Sequence, residues 1–297
     1  MVKLVQMKKV DLPNGETLAY RERDGGTKTL LLIHGNMTSS KHWDILIDAL
    51  DEDFKVIAVD LRGFGESSYQ TPIQQIKDFS EDIAQFVSVL ELQDFAIIGW
   101  STGGAVAMGY CADYPGRCNK LVLLASASTR GYPFYGVNGL GVYGRLCTYE
   151  EIKREPTKTV PIQQAYNTGN RQFLKMIWNS MIYTKNKPDE CKYEEYIDDM
   201  MTQRNLAEVY HSLNIFNISS VHNGLVEGSG KVSAITIPVL VLRGNNDLVV
   251  TEQMTKEIIK DLGINATFKE LTDCGHSPLI DNLQLLNDEI QAYLNNL

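Results

Sequence analysis

Four short apolar runs, none with polar alternation, most constrain what this 297-residue chain can become. Residues 29–33 (TLLLI), 55–59 (KVIAV), 95–98 (FAII) and 121–125 (LVLLA) lack the period-two pattern of a half-solvated strand. Strands of this kind are buried on both faces, which calls for helices on either side of a parallel sheet. The stretches between them supply those helices. Residues 42–50, 80–90 and 103–114 have helical spacing, the last closed by Pro115-Gly116. Ahead of the first run, segments 5–10 and 17–20 flank Pro13-Asn14-Gly15, a hairpin signal. The predicted fold class is α/β, a mostly parallel, doubly wound sheet.

The rhythm breaks near residue 127. Glycines 131, 136, 139, 141 and 144 interrupt the chain, helical stretches follow at 171–183 and 189–204, and Gly224, Gly228 and Gly230 close the region. Strand and helix then alternate again, with strands at 238–242 and 267–271 and helices at 252–262 and the C-terminus. Residues 127–233 are therefore read as a helical cap inserted into a core formed by 1–126 and 234–297. The insert holds 13 of the 26 aromatic residues and carries 12 basic against 11 acidic side chains. The net charge of −9 thus belongs to the core, and a nearly neutral, aromatic-rich insert suits the roof of an apolar pocket.

Gly99-Trp100-Ser101-Thr102-Gly103 fits G-x-S-x-G and lies between a strand-like run and a helix. A serine at such a turn is held in a strained backbone conformation, with flanking glycines relieving the crowding. The following helix aims its first N–H groups, with their partial positive charge, at an oxyanion beside the serine. Serine needs a base and an orienting acid. His276, in Asp273-Cys274-Gly275-His276, and Asp247, in Arg243-Gly244-Asn245-Asn246-Asp247, both follow strands, at the edge where open α/β sheets build sites. Asp273, only three residues from His276, and His211 and His222, in the insert, are weaker candidates.

In its order of Ser101, Asp247 and His276, the chain resembles the α/β-hydrolase fold, specifically a capped serine hydrolase of carboxylesterase or lactonase type. That resemblance makes His34-Gly35-Asn36-Met37 the oxyanion loop. The backbone N–H groups of Asn36 and Thr102 are the implied donors, with Met37 as the alternative to Asn36. It also makes His34 a brace of the loop, and the segment 60–67 (DLRGFGES) a structural loop with turn glycines and a buried ion pair. His34-Gly35-Asn36 followed by Thr38-Ser39-Ser40 also resembles haloalkane dehalogenases. Those enzymes and epoxide hydrolases of this fold place an aspartate where this chain has Ser101, which argues against both chemistries here.

The expected activity is hydrolysis of a carboxylic ester or lactone, of apolar uncharged type, through an acyl-enzyme and with no metal or organic cofactor. Candidate substrate contacts are Trp100, Met37, Tyr135 and Trp178, within a roof that draws on Tyr132, Phe134, Tyr143, Phe173 and Met181. Carbon–carbon bond hydrolysis, aminopeptidase or acyltransferase activity, and a ligand receptor on the same fold are the alternatives. Gly139-Leu140-Gly141-Val142-Tyr143-Gly144 satisfies a dinucleotide-binding pattern, but no strand is expected before it and no acid follows at the right distance. It is read as a flexible hinge. The acidic balance argues against nucleic acid and anionic membranes as partners. No apolar run approaches the roughly 18 residues that span a bilayer. The opening MVKLVQMKKVDLPNG has no signal-peptide pattern, and five scattered cysteines suit free thiols, so a cytoplasmic protein is expected.

Overall fold

The computed structural model describes residues 4–295. A hairpin of β1 (Val5–Asp11) and β2 (Thr17–Arg23) opens the chain, followed by β3 (Lys28–Ile33), α1 (Asp44–Ala49) and β4 (Phe54–Val59). Next come α2 (Ile76–Val89), β5 (Phe95–Trp100), α3 (Thr102–Asp113) and β6 (Lys120–Leu124). The predicted strands and helices of this half all form, each within a few residues of its expected span.

The eight-stranded sheet has the order β1-β2-β4-β3-β5-β6-β9-β10. β1, β2 and β4 meet antiparallel, and the six strands from β4 to β10 run parallel. Here β9 is Val239–Gly244 and β10 is Ala266–Leu271, separated by α9 (Glu252–Leu262) and followed by α10 (Pro278–Asp281) and α11 (Leu283–Asn295). Alternate strand residues feed two separate cores: Leu31, Ile33 and Ile97 pack on one face, Leu30, Leu32 and Ile98 on the other. This two-sided burial is why the strands show no alternation in sequence. Helix α3 lies in the same dry layer, buried all round from Thr102 to Ala112.

The chain turns one way from β3 to β4 and the other way to β5, so the topological switch point lies between the adjacent strands β3 and β5. A crevice opens there at the carboxyl ends of the strands. Between β6 and β9 the chain leaves the sheet, forming a two-stranded ribbon, β7 (Tyr135–Val137) and β8 (Tyr143–Arg145), and five helices. These are α4 (Tyr149–Lys153), α5 (Thr159–Thr168), α6 (Arg171–Met181), α7 (Glu190–Met200) and α8 (Leu206–Ile215).

The glycine-rich segment 139–144 is not a hinge. It closes the β7–β8 ribbon, with Asn138 N–H donating to the Val142 carbonyl (3.0 Å) and Gly141 N–H to the Asn138 carbonyl (2.9 Å). Gly141 has φ +78°, a conformation that glycine adopts freely. A strand does precede the motif, contrary to expectation, but its second half is β8 and not the start of a helix. The dinucleotide pattern is therefore incidental.

Candidate active site

The turn from β5 to α3 puts Ser101 at φ 55°, ψ −115°, a strained position for a residue with a side chain. A Cβ on Gly103 would overlap the carbonyl oxygens of Ile33 and His34, and one on Gly99 would overlap the Gly103 backbone. The glycines therefore let β5, α3 and the β3 loop close on one another around the serine. Gly35 packs directly on it: a Cβ there would lie 3.2 Å from Ser101 Cβ and 3.8 Å from its Oγ. Thr102 is the first residue of α3, so its N–H has no partner within the helix. The N–H of Asn36 has no protein acceptor among the described residues. Met37, the alternative donor, has φ 59°.

His34 is buried completely and makes two main-chain contacts. Its Nδ1 lies 2.7 Å from the Gly35 carbonyl, and its Nε2 accepts the Leu61 N–H at 2.9 Å. A carbonyl only accepts and an N–H only donates, so the ring is the neutral Nδ1–H tautomer with both nitrogens occupied. Burial pushes its pKa down to about 4. His34 thus ties the β3 loop to the β4 loop and has no free lone pair. In the β4 loop, Arg62 pairs with Asp82, and Asp60 accepts the N–H groups of Ser40 and Glu66, so the expected buried ion pair is present.

The loops after β9 and β10 are joined to each other. Asn245 N–H donates to the Leu271 carbonyl and Asn246 N–H to the Cys274 carbonyl (3.0 and 2.9 Å). The Asp247 carboxylate lies 2.9 Å (Oδ2) and 3.1 Å (Oδ1) from His276 Nδ1. Its Oδ1 also accepts the N–H groups of Val249 and Val250, each at 2.8 Å. Burial alone would raise the Asp247 carboxyl, but the adjacent imidazole and these two donors outweigh it and hold the group below the usual range. Asp281 Oδ2 accepts the Gly275 N–H at 2.7 Å and its Oδ1 the Asn186 N–H at 3.0 Å, bracing the histidine loop from α10 and from the β6–β9 excursion.

Ser101, His276, Asn36 and Thr102 line one cavity of about 370 Å³. No hydrogen bond joins Ser101 Oγ to His276 among the described residues. Of the residues proposed for substrate contact, Met37, Tyr135 and Trp178 line this cavity, as do Tyr132, Phe134 and Met181. Tyr143 and Phe173 do not. Trp100 is a correction: it is 2% exposed, lies outside the lining and donates its indole N–H to the His276 carbonyl at 3.0 Å. Trp100 ends β5 and packs with Ile98 and Trp43 in the core on that face of the sheet.

Asp199 and Gln203 make contacts near the site that had no signal in the sequence. Asp199, in α7, accepts from the Ser39 N–H (2.9 Å), from the Ser39 hydroxyl, and lies 3.1 Å from His42 Nδ1. Burial raises that carboxyl too, yet these partners hold it low. Gln203, just beyond α7, donates its Nε2 to Asn36 Oδ1 at 2.7 Å. Partners about 160 residues apart leave no local pattern.

A hydroxyl at the N-terminus of a buried helix, a carboxylate-held imidazole and unpaired amides around one apolar cavity form an arrangement suited to acyl transfer. The family described as alpha/beta hydrolase fold matches residues 28–283. An esterase from Exiguobacterium antarcticum superposes with a TM-score of 0.75 at 15% identity, covering 98% of this chain and 100% of that one. An esterase from Rhodococcus sp. ECU1013 gives 0.70 at 21% identity, covering 98% and 99%. In sequence, a 2-hydroxy-6-oxononadienedioate/2-hydroxy-6-oxononatrienedioate hydrolase from Paraburkholderia phymatum is 23% identical over 280 residues, 93% of this chain and 90% of that protein.

Proposed function

The chain belongs to the α/β hydrolase fold family, and from this premise we propose that it is a serine hydrolase of carboxylic esters or lactones. Ser101 Oγ attacks the acyl carbon while His276 accepts its proton through Nε2, and Asp247 orients the imidazole and balances its charge. The N–H groups of Asn36 and Thr102 stabilise the tetrahedral oxyanion. His276 then protonates the leaving alcohol, and afterwards activates the water that releases the acid. The observation that carries this reading is the Asp247–His276 contact of 2.9 Å at the rim of the cavity that Ser101 lines.

Residues 127–233 serve as the cap, contributing Ile162, Ile177, Trp178 and Met181 to the cavity that Ser101 lines. No carboxylate lines the cavity among the described residues. Its basic residue, Lys158, is exposed and donates to the Tyr135 carbonyl. An uncharged, apolar acyl or alcohol group fits this wall. Carbon–carbon bond hydrolysis by the same residues is the second reading, favoured by the likeness to the Paraburkholderia enzyme. Kinetics with p-nitrophenyl butyrate test the first: Ser101→Ala is expected to abolish turnover in a folded protein, and wild-type-like activity would overturn the assignment. A β-diketone cleaved faster than any ester would favour the second reading.

A further inference from the structure

One polar side chain of the cavity has its orientation dictated from outside it. The series begins at the Arg62 main-chain carbonyl, which can only accept. Asn205, fully buried, donates Nδ2 to it at 2.8 Å, so its Oδ1 turns away and accepts Gln203 Nε2 at 3.0 Å. The same Gln203 Nε2 donates to Asn36 Oδ1 at 2.7 Å, and Gln203 Oε1 accepts the Tyr166 hydroxyl at 3.3 Å. Exchanging oxygen and nitrogen in any one of these amides would set donor against donor or acceptor against acceptor. Gln203 is itself 4% exposed, so no bulk water relaxes the constraint. Asn36 is therefore held with its oxygen toward Gln203. Its Nδ2 has no protein acceptor among the described residues and is left to the cavity that Asn36 lines.

Asn36 follows Gly35, which packs on Ser101, and it carries the backbone N–H assigned above to the oxyanion. Covalent reach puts its Nδ2 within about 5 Å of that N–H. The nearby wall is apolar, formed by Met37, Ile162 and Trp178 among others. We infer that Asn36 Nδ2 is a specificity-determining donor for an acceptor oxygen two to four bonds from the scissile carbonyl carbon, and that Gln203 is its positioning residue. The preferred esters then carry an ether, keto or hydroxyl oxygen beside the reacting centre. An all-carbon ester leaves a desolvated donor unpaired, which is how buried polar groups discriminate between near-isosteric substrates. The inference rests on Ser101 being the nucleophile.

Two matched substrate pairs test it, each exchanging one CH₂ for oxygen. On the acyl side the pair is p-nitrophenyl methoxyacetate and p-nitrophenyl butyrate; on the alcohol side it is 2-methoxyethyl acetate and butyl acetate. The ratio of kcat/KM within a pair, wild type over variant, cancels intrinsic reactivity. In at least one pair the preference for the ether is expected to fall about three- to tenfold in Asn36→Asp, whose carboxylate cannot donate. It is expected to fall similarly in Gln203→Glu, whose carboxylate draws Asn36 Nδ2 away from the cavity while leaving Asn36 in place. A merely structural role would lower both members of a pair alike. Unchanged ratios in both variants and both pairs, with Ser101→Ala inactive, overturn this inference alone. Turnover retained by Ser101→Ala overturns the serine mechanism and this inference with it.

Discussion

The indole N–H of Trp100 donates a 3.0 Å hydrogen bond to the main-chain carbonyl of His276. The residue before the proposed nucleophile thus holds the backbone of the proposed base, across 176 residues of sequence. The ring lies 6.2 Å from Trp43 and 5.9 Å from His276 between centroids and is not among the residues that line the cavity. Trp100→Phe keeps most of that packing and removes the donor. It is expected to lower kcat toward a p-nitrophenyl ester about tenfold with little change in KM. The unpaired buried carbonyl should also cost about 1–3 kcal/mol of stability in urea unfolding. A change confined to KM would place Trp100 against substrate instead.

Asp247→Asn preserves size but replaces a charged acceptor of the imidazole N–H with an amide that can hold the wrong tautomer. Turnover is expected to fall about 10³–10⁴-fold at neutral pH. The carboxyl is held below its usual range in the folded protein. Its stabilising contribution is therefore complete above the unfolded value of about 4 and is lost as pH falls through the lower folded value. Urea midpoints between pH 3 and 6 should show a weaker acid-side loss in Asp247→Asn than in the wild type.

His34 behaves oppositely to an exposed histidine. It stays neutral in the fold because burial pushes its pKa down to about 4, whereas the unfolded chain takes up a proton near pH 6.5. The unfolded state binds more protons between those values, so stability falls as pH is lowered through that window. The loss from this group between pH 7 and pH 5 is about 2 kcal/mol. His34→Gln, which can still accept the Leu61 N–H, should flatten the pH dependence by about that amount. An equal slope in wild type and variant would remove His34 as its source.

Asp199 fastens α7 to the segment after the proposed oxyanion loop. Asp199→Ala leaves the Ser39 hydroxyl and His42 Nδ1 buried without their acceptor, and His42 Nε2 already lacks a partner among the described residues. A destabilisation of about 2–3 kcal/mol is expected by thermal or urea unfolding. His42 stacks on Tyr196 at 4.2 Å and lies 5.5 Å from the cavity residue Trp178, so a rise in KM should accompany it. A loss below about 0.5 kcal/mol would show that the contact contributes nothing net.

The parts of the fold legible in sequence are those fixed by periodicity and by turn chemistry. Leu30 to Ile33 and Ile97 to Ile98 read as doubly buried strands because each face meets its own core. Gly99 and Gly103 mark the elbow because no Cβ fits there. Asp247 and His276 could be placed because both follow strands of one sheet. The direction of Trp100 was not legible, since the residue lies where a strand ends and its partner is a main-chain carbonyl. The Gly139–Gly144 stretch misled because flexibility and a tight ribbon turn draw on the same residue. Asp199, Gln203 and Asp281 gave no signal at all. Asp199 and Gln203 reach the β3 loop from the β6–β9 excursion, and Asp281 joins Asn186 of that excursion to Gly275 of its own loop.

Covalent labelling tests the central claim most directly. A fluorophosphonate probe reacts with an activated serine, and intact-mass spectrometry counts the adducts. One adduct per chain, mapped to Ser101 and absent in Ser101→Ala, is the expected result. No adduct on the native protein, or an adduct that persists in Ser101→Ala, would contradict it.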